Sequence, residues 1–509
     1  MSSRSKRFLM GVASGYGLMA VNIAYTMLSI PLALHYLGKE EFGLWALAQQ
    51  VSGYLMLIDL GISTAVSRFV ANHKDDVNGG EYGSLLLTGG IVFAIQGGII
   101  ALAGISFSWF APTLFGLHGI FAEAFRNVLI ILTSLSGLSF AFRSIGAPLW
   151  AFHRVDVANA LGMFNLISSF SMLWIGFHFG WGIYSFALAG IPAFAAGVVI
   201  PAWICYRNGY YPTPGCWGKP RWAIFKTVFL FGKDMVLLSL GSQLVSASQI
   251  TIISRVAGLD AAATFAIGTK LFTMGQQLVS KVFESSSPAL VEMLVRGENA
   301  LFNIRYWNVA ALTALFATLG ASALVLGNTA FIHIWTGGVI HWSLFEDGLL
   351  AALLISTTLT RSIGSVIGLT TDLRPIRYTY IIEGLVFIAI AIPTVKHFGV
   401  IGILAASLIC NIGITGVIFY RAAFRVLKTM RQLIRFALAP CFITSCAFGV
   451  SVVFVAFSLK PFSTIALTPC IVAMFAVVSW FLVLPYALRK EMVAKAHILF
   501  NKLVLSRPT

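Results

Sequence analysis

A four-residue stretch that begins with arginine occurs twice in this chain. Residues 143–146 and residues 361–364 both read Arg-Ser-Ile-Gly, and both lie inside long apolar segments. Each copy therefore places a guanidinium at membrane depth. A guanidinium remains charged inside proteins, and its planar fork of N–H donors can bind two phosphate oxygens at once. Arg143 and Arg361, at matching places in the chain, thus favour a binding site for a phosphate-bearing ligand.

Other charged side chains also lie inside apolar segments. They are Asp59, Lys233, Asp234, Lys270, Lys281, Glu284 and Glu383. Each costs about 2.5–3.5 kcal/mol at a lipid-facing position in the bilayer centre, so we expect them to face each other or water. Lys281 and Glu284 have the spacing of a helical ion pair. Asp59 is expected either to pair with a neighbouring arginine or to carry a proton or sodium ion, and Glu383 is a second candidate for such an ion.

Polar side chains form one stripe along the helix predicted over residues 261–283 and just beyond it. Lys270, Thr273, Gln277, Lys281 and Glu284 recur at steps of three or four residues, which is the helical period. A polar stripe on an otherwise apolar helix indicates a hydrated cavity. We assign Lys270, Gln277 and Lys281 to the same ligand as the two repeated arginines.

Composition places these residues in a membrane protein. The 509 residues are 58% hydrophobic and 10% charged, and the mean hydropathy is +0.88, which leaves too little polar surface for a soluble domain. The chain has 34 Lys and Arg against 18 Asp and Glu. This excess fits the cytoplasmic loops of a membrane protein, and no nucleic-acid partner is expected. None of the six cysteines stands in a Cys-x-x-Cys pair, so neither a zinc site nor another cofactor is predicted.

Fourteen apolar segments are long enough to cross a membrane, since a span needs about 20 mostly apolar residues. They are 8–36, 42–66, 85–109, 128–152, 157–179, 181–205, 228–253, 261–283, 309–332, 349–370, 378–395, 400–419, 436–457 and 465–488. The predicted fold is therefore all-α, a polytopic membrane protein with about 14 transmembrane helices.

Two regions repeat at nearly the same offset, which indicates two similar halves. The Arg-Ser-Ile-Gly copies lie 218 residues apart, and Gly38-Lys39-Glu40 is echoed 220 residues later by Gly258-Leu259-Asp260. Six spans per half is an even number, so the halves should be related by a pseudo-two-fold axis along the membrane normal, with a cavity between them. The predicted domains are a six-helix lobe (1–206), an inter-lobe linker (207–227), a second six-helix lobe (228–420), a basic linker (421–435), and two extra helices with a basic tail (436–509).

The distribution of positive charge predicts the orientation. With the N-terminus inside, 24 Lys and Arg outside the spans lie on the cytoplasmic side and five lie on the other side. The positive-inside rule then places both termini in the cytoplasm. The basic cluster at 421–435 is expected to lie on the anionic inner leaflet of the bilayer.

Residues 57–71 carry a family signature. Their sequence, Leu-Ile-Asp-Leu-Gly-Ile-Ser-Thr-Ala-Val-Ser-Arg-Phe-Val-Ala, resembles the second span of the polysaccharide flippases, and the preceding Tyr-Leu-Gly-Lys-Glu-Glu-Phe-Gly at 36–43 is also typical of them. These are the Wzx-type O-antigen and exopolysaccharide translocators of the multidrug/oligosaccharidyl-lipid/polysaccharide exporter superfamily. The sharp similarity covers about residues 30–75, and the fourteen spans and two lobes extend it over the chain.

The resemblance implies a secondary transporter, not an enzyme, that works by alternating access in the bacterial inner membrane. It implies a substrate of oligosaccharide units on undecaprenyl pyrophosphate, destined for lipopolysaccharide or exopolysaccharide and moved from the cytoplasmic to the periplasmic leaflet. It would assign Arg143, Lys270 and Arg361 to the pyrophosphate, whereas Asp59 and Arg68 match the signature itself. A glycan polymerase and a chain-length regulator are expected partners of a monomeric chain, with H⁺ or Na⁺ as the coupling ion.

Two other functions stay open at this point. One is a multidrug/cation antiporter of the same superfamily, although its cationic substrates would favour an acidic cavity and here five cations inside the spans outnumber four acids. The other is a membrane glycan polymerase or ligase, although such enzymes have a large periplasmic loop and none is predicted.

Overall fold

In the computed structural model the chain folds almost entirely into helices. The structure describes residues 3–59, 62–152, 154–227, 241, 243–368, 374–427 and 430–494, and no strand occurs among them. The predicted all-α fold is therefore confirmed. The chain divides into two compact units, Met1–Ala266 and Ile267–Thr509. The lobe and linker boundaries given above stay predictions.

The helices are numbered in chain order. The first unit includes α1 (Ser3–Tyr36), α2 (Lys39–Leu55), α3 (Ile62–Asn72), α4 (Glu81–Phe115), α5 (Gly119–Ala141), α6 (Ala147–Ala151), α7 (Val155–His178), α8 (Tyr184–Leu188), α9 (Gly190–Arg207), α10 (Ser248–Val256) and most of α11 (Leu259–Gly268). The second unit includes α12 (Lys270–Val295), α13 (Asn299–Trp335), α14 (Leu344–Gly368), α15 (Arg374–Cys410), a π-helical segment (Asn411–Gly416), α16 (Val417–Leu427), α17 (Met430–Ala456) and α18 (Pro461–Leu482).

Ten helices among the described residues are long and apolar enough to cross a membrane, so the chain is a multi-pass membrane protein. One of them, Tyr378–Ala422, covers two predicted spans, and Gly399 separates these with a φ of 55°, a value that favours glycine. The seventh predicted span, with Lys233 and Asp234, lies largely outside the described residues. The total of fourteen spans therefore stays a prediction.

Several spans predicted as continuous helices are interrupted in the part of the chain that the structure describes, which corrects the prediction. A 3₁₀ turn at Met56–Asp59 divides the second span into α2 and α3, and a second 3₁₀ turn at Arg143–Gly146 divides the fourth into α5 and α6. The eighth span is divided at Thr269, between α11 and α12. In the fourth span the physical reason is Pro148, which has no N–H to donate and whose ring clashes with the preceding turn of a helix.

Close packing of α4 on α5 stabilises the first unit. A Cβ atom added to Gly97 would lie 2.2 Å from the carbonyl oxygen of Gly137, and one added to Gly137 would lie 2.5 Å from that of Gly97. Two turns further along α4, Gly104 packs against the side chain of Thr133 in the same way. Small residues let helix backbones approach closely where no hydrophobic effect drives helices together.

The echoed positions of the sequence contact each other at the start of α2 and α11. The Lys39 Nζ atom lies 2.7 Å from a carboxylate oxygen of Asp260. Next to this pair, a Cβ atom on Gly43 would lie 2.0 Å from the carbonyl oxygen of Leu259. Glycine at position 43, part of the family signature, thus permits the contact between these two helices.

The core of the second unit forms around α13. Tyr306 is completely buried and packs with Phe302, Ile363 and Phe419 in one apolar cluster. Helices α17 and α18 also pack on α13, and the Ser451 hydroxyl of α17 donates a hydrogen bond to a carbonyl of α13 at 2.7 Å. The two extra helices predicted at the C-terminal end are thus part of this unit.

Gly97 and Gly98 provide a matched test of the α4–α5 packing. We expect Gly97→Ala to destabilise the protein by about 1–3 kcal/mol, because its methyl group would force the two backbones apart. A Cβ atom added to Gly98 would have no neighbouring atom within 4 Å. Gly98→Ala should therefore stabilise the helix by about 0.5–1 kcal/mol. Thermal unfolding of the purified proteins in detergent measures both effects, and equal shifts for the two variants would contradict this packing.

Candidate functional site

Arg143 is the predicted binding residue of the first unit. Its side chain is 49% exposed, and its guanidinium carbon lies 5.0 Å from the ring centre of Phe140. One guanidinium nitrogen lies 4.0 Å from a carboxylate oxygen of Asp59, at the outer limit of an ion pair. A pair this exposed contributes at most about 1 kcal/mol. Most of the hydrogen-bonding capacity of Arg143 is thus available to another anion.

Asp59 has a second partner at the start of α3. Its Oδ1 atom accepts hydrogen bonds from the backbone N–H of Ser63 at 3.2 Å and from the Ser63 hydroxyl at 2.5 Å. A carboxylate here accepts a hydrogen bond from an N–H group that has no partner in the helix. The positive end of the helix dipole also stabilises its negative charge. The structure therefore brings Asp59 and Arg143 together, as one of the two interpretations of Asp59 predicted.

Side chains from elsewhere in the unit satisfy the backbone of both turns. The Gln96 amide of α4 donates to the carbonyls of Ile58 at 2.7 Å and of Asp59 at 3.1 Å. The Tyr211 hydroxyl donates to the carbonyl of Ile145, inside the Arg143 turn, at 2.8 Å. Burial raises the pKa of Tyr211, which keeps this hydroxyl protonated as a donor. Sequence reasoning treated residues 207–227 only as a linker and missed this contact.

Arg361 is the predicted binding residue of the second unit. It is exposed on α14, and its guanidinium donates a hydrogen bond to the Ser280 hydroxyl of α12 at 3.3 Å. One turn earlier, the Gln276 amide donates to the Thr357 hydroxyl, also at 3.3 Å. The second Arg-Ser-Ile-Gly copy is helical, so the two copies have different conformations. Its Ser362 carbonyl accepts a hydrogen bond from the buried Tyr306 hydroxyl at 2.9 Å.

The polar stripe of α12 lies beside Arg361. Ser280, the partner of Arg361, directly precedes Lys281, and both Gln277 and Lys281 are exposed. Lys281 pairs with Glu284 at 2.7 Å, and both side chains remain more than half exposed. Lys270, the first residue of α12, is half-buried, and no acidic side chain among the described residues forms an ion pair with it.

Glu383 is a buried carboxylate of α15. Only 4% of the residue is exposed, and its oxygens accept hydrogen bonds from the Thr415 hydroxyl at 2.6 Å and the Asn411 amide at 3.5 Å. Both partners belong to the π-helical segment, and such segments occur frequently at functional sites. The carboxylate, amide and hydroxyl oxygens collected here are groups that can hold a proton or a hard cation.

A buried aspartate was missed by sequence reasoning. Asp347 of α14 is completely buried and accepts hydrogen bonds from Asn328 at 2.6 Å, from Trp342 at 2.7 Å, and from the backbone and hydroxyl of Thr329 at 3.0 and 2.6 Å. Asp347 falls in the connection between the predicted spans 309–332 and 349–370. The Asn-Thr pair inside the apolar segment 309–332 was the signal that could have revealed its partners. Asp347 thus fixes α13, α14 and the loop between them.

The candidate residues divide between the two units. Asp59 and Arg143 lie in the first unit, and Lys270, Gln277, Lys281, Arg361 and Glu383 lie in the second. No cluster of three or more His, Cys, Asp or Glu that could hold a metal ion occurs in the part of the chain that the structure describes.

The fold is that of a known superfamily of transporters. The chain is similar to the lipid II flippase MurJ in an inward closed conformation, with a TM-score of 0.66 and 13% identity over 93% of this chain and 99% of that one. It is also similar to an outward-facing multidrug resistance transporter of the MATE family of the MOP superfamily (TM-score 0.62, 14% identity, 84% and 97% covered). A MOP superfamily transporter from Pyrococcus furiosus gives a TM-score of 0.60 at 14% identity, with 83% and 96% covered.

The family follows from the sequence match. The profile of the polysaccharide biosynthesis proteins matches residues 14–294, which is more than half of the chain. The chain belongs to this family, and the resemblance found in residues 30–75 is confirmed at that level. A search of the curated proteins found no match to the chain.

Thr415 tests the hydrogen bonding of Glu383. Thr415→Val removes the hydroxyl that donates to the buried carboxylate, and we expect a loss of about 1–3 kcal/mol of stability. Thr415→Ser keeps the donor and should lose less. Thr394→Val on α15 is the control, because the Thr394 hydroxyl bonds only carbonyls of its own helix. Thermal unfolding in detergent measures all three, and equal losses for Thr415→Val and Thr394→Val would rule out a special contribution from the Glu383 contact.

Proposed function

We propose that this protein is a flippase for lipid-linked oligosaccharides. It moves glycan units on undecaprenyl pyrophosphate from the cytoplasmic to the periplasmic leaflet of a bacterial inner membrane, by alternating access and with both termini in the cytoplasm. The observation that carries this proposal is one exposed arginine in each unit, each inside a predicted span, and neither has a close acidic partner among the described residues. The family of polysaccharide biosynthesis proteins and the transporter fold support it.

A pyrophosphate fits the chemistry of these groups. In the second unit Arg361 lies beside the helix that carries Lys270, Gln277 and Lys281, so several cationic and amide donors are available to phosphate oxygens and sugar hydroxyls. In the first unit Arg143 has only a weak contact with Asp59. An anion that binds Arg143 would replace this contact by stronger, charge-assisted hydrogen bonds.

We further propose that a proton or sodium ion drives transport through Asp59 or Glu383. Glu383 has the better setting, because it is buried and its neighbours offer oxygen atoms. Asp59 has an indirect role in this scheme, because binding of the substrate phosphate by Arg143 would replace the contact between that guanidinium and Asp59.

The repeated arginines test the flippase proposal directly. Losing one charge-assisted contact should cost about 1.5–3 kcal/mol, which corresponds to about 10- to 100-fold weaker binding. Export should therefore fall in the order wild type, Arg→Lys, Arg→Ala and Arg→Glu at Arg143 and at Arg361, because Lys keeps the charge but loses the fork. Surface glycan and membrane-inserted protein are measured for each variant in a strain that depends on this protein.

Arg126 provides the charge-reversal control, because it lies just before the predicted span 128–152 and its guanidinium stacks on Trp109. Arg126→Glu should insert and export normally. If Arg143→Glu and Arg361→Glu also insert and export at the wild-type level, the arginines do not bind the phosphate. If Arg143→Ala instead reduces protein abundance and Asp59→Asn restores it, the role of Arg143 is a structural ion pair.

Neutral variants of the two acids test the coupling. We expect Glu383→Gln, or Asp59→Asn, to abolish export while the protein still inserts, because an amide cannot carry the proton or the charge that holds sodium. Glu292→Gln is the control, since Glu292 forms an exposed ion pair with Arg296 at the end of α12. Export is measured as surface glycan, and normal export by both neutral variants would remove these residues from the mechanism.

A further inference from the structure

The second unit contains a groove on one face of α14. The groove has a volume of about 790 Å³, and residues of α14, of the π-helical segment with α16, and of α17 line it. Its walls are almost entirely apolar, with Phe345, Ile363 and Phe448 among them. We call it the α14–α17 groove.

Small side chains leave this space open. Gly348, Ala352 and Ser356 recur at steps of four along α14, and Gly416 and Ser445 face the groove from the neighbouring helices. At Gly348 the ring of Phe448 packs against the glycine, since a Cβ atom there would lie 2.8 Å from it. The small residues at the other positions therefore leave the space that forms the α14–α17 groove.

The groove lies at membrane depth and is open at its rim. Phe345 and Ile412, which line it, are exposed apolar residues, and Cys441 of α17 is exposed as well. All three lie in helices that are candidate membrane spans. An exposed apolar groove in such a place is accessible to the hydrocarbon chains of lipids.

One end of the groove is cationic. Arg421, which lines the groove beside Tyr420, is exposed, and no acidic side chain among the described residues pairs with it. It is also the first residue of the basic cluster at 421–435, which the predicted topology places at the inner leaflet. An apolar channel that ends at an arginine complements an anionic headgroup with a hydrocarbon chain.

We infer that the α14–α17 groove binds a resident anionic phospholipid. Its phosphate contacts Arg421, and one acyl chain lies along α14 towards Ser356. From Phe345 to Ile363 the groove follows about 27 Å of helix, close to the ~30 Å of the hydrocarbon core, so the half next to Arg421 accommodates a chain from one leaflet.

The position of Arg361 distinguishes this lipid from a transported one. Arg361 contacts Ser280 of α12, whereas the groove residues Leu359, Thr360 and Ile363 lie on the side of α14 that faces α16 and α17. A lipid in the groove is therefore turned away from the proposed phosphate site at Arg361. The inference does not depend on the flippase proposal.

Cys441 and Cys446 allow a matched test. Both are exposed on α17, but only Cys441 lines the groove. Cys441→Phe should fill the groove and reduce the phosphatidylglycerol that co-purifies with the detergent-solubilised protein at least fivefold, whereas Cys446→Phe should not. Arg421→Gln should weaken the binding of added phosphatidylglycerol about tenfold. Arg207→Gln in the first unit, where the guanidinium stacks on Trp203, is the matched control and should have little effect.

Lipids are extracted from the purified protein and quantified by mass spectrometry, and binding is measured from the rise in melting temperature on titration with phosphatidylglycerol or phosphatidylcholine. A selective rise with phosphatidylglycerol that Cys441→Phe and Arg421→Gln reduce supports the inference. The inference is overturned if both lipids raise the melting temperature equally. It is also overturned if the two variants of each matched pair change lipid binding equally. A third outcome also overturns it: the wild-type protein yields a polyprenyl phosphate in place of phospholipid, and Cys441→Phe yields none. The groove would then hold the substrate. Export by Arg143 and Arg361 variants is measured separately, so either proposal can fail alone.

Discussion

Carbonyl groups that lose their helical partners inside a membrane must find another donor, and the architecture of the first unit depends on this requirement. Each unsatisfied backbone group in hydrocarbon costs several kcal/mol. The two 3₁₀ turns of this unit release carbonyls at Ile58, Asp59 and Ile145, and side chains of Gln96 and Tyr211 satisfy them. The turns persist because α4 and the segment after α9 supply these donors. The same donors position Asp59 and Arg143, so the candidate site and the fold rest on one set of hydrogen bonds.

The two Arg-Ser-Ile-Gly copies show how a local sequence acquires two conformations. The first copy is followed by Ala147 and Pro148, and the proline excludes a regular helix in the preceding turn. The second copy is followed by Ser365, and the helix continues to Gly368. In both copies a tyrosine hydroxyl binds a carbonyl within the four residues, from Tyr211 in one case and Tyr306 in the other. The same four residues therefore take two backbone conformations, and a tyrosine hydroxyl binds a carbonyl of each copy.

The sequence predicted well what hydrophobicity alone determines. Most long apolar segments are helices at the expected places, and the helical spacing of Lys281 and Glu284 does produce an ion pair. Prediction from the sequence failed where contacts between distant residues decide the conformation. Hydropathy does not distinguish a continuous span from one interrupted by a 3₁₀ turn, because both are apolar along their whole length. Likewise, nothing local to Asp347 shows that Asn328 and Trp342 bond to it, since their contact depends on how α13 packs on α14.

The energy of the arginines connects the fold to the proposed function. If the two arginines lie at the depth that the predicted spans give them, each costs up to about 2.5–3.5 kcal/mol. A weak ion pair at 4.0 Å or a single hydrogen bond to serine compensates only part of this cost. If structural pairing were the purpose, close acidic partners such as those of Lys39 or Arg305 would be expected, and the chain forms such pairs elsewhere. The remaining cost requires either water or a bound anion near each guanidinium. A phosphate-bearing substrate would supply that compensation only while it is bound, which is the property a carrier needs in order to bind its substrate and also to release it.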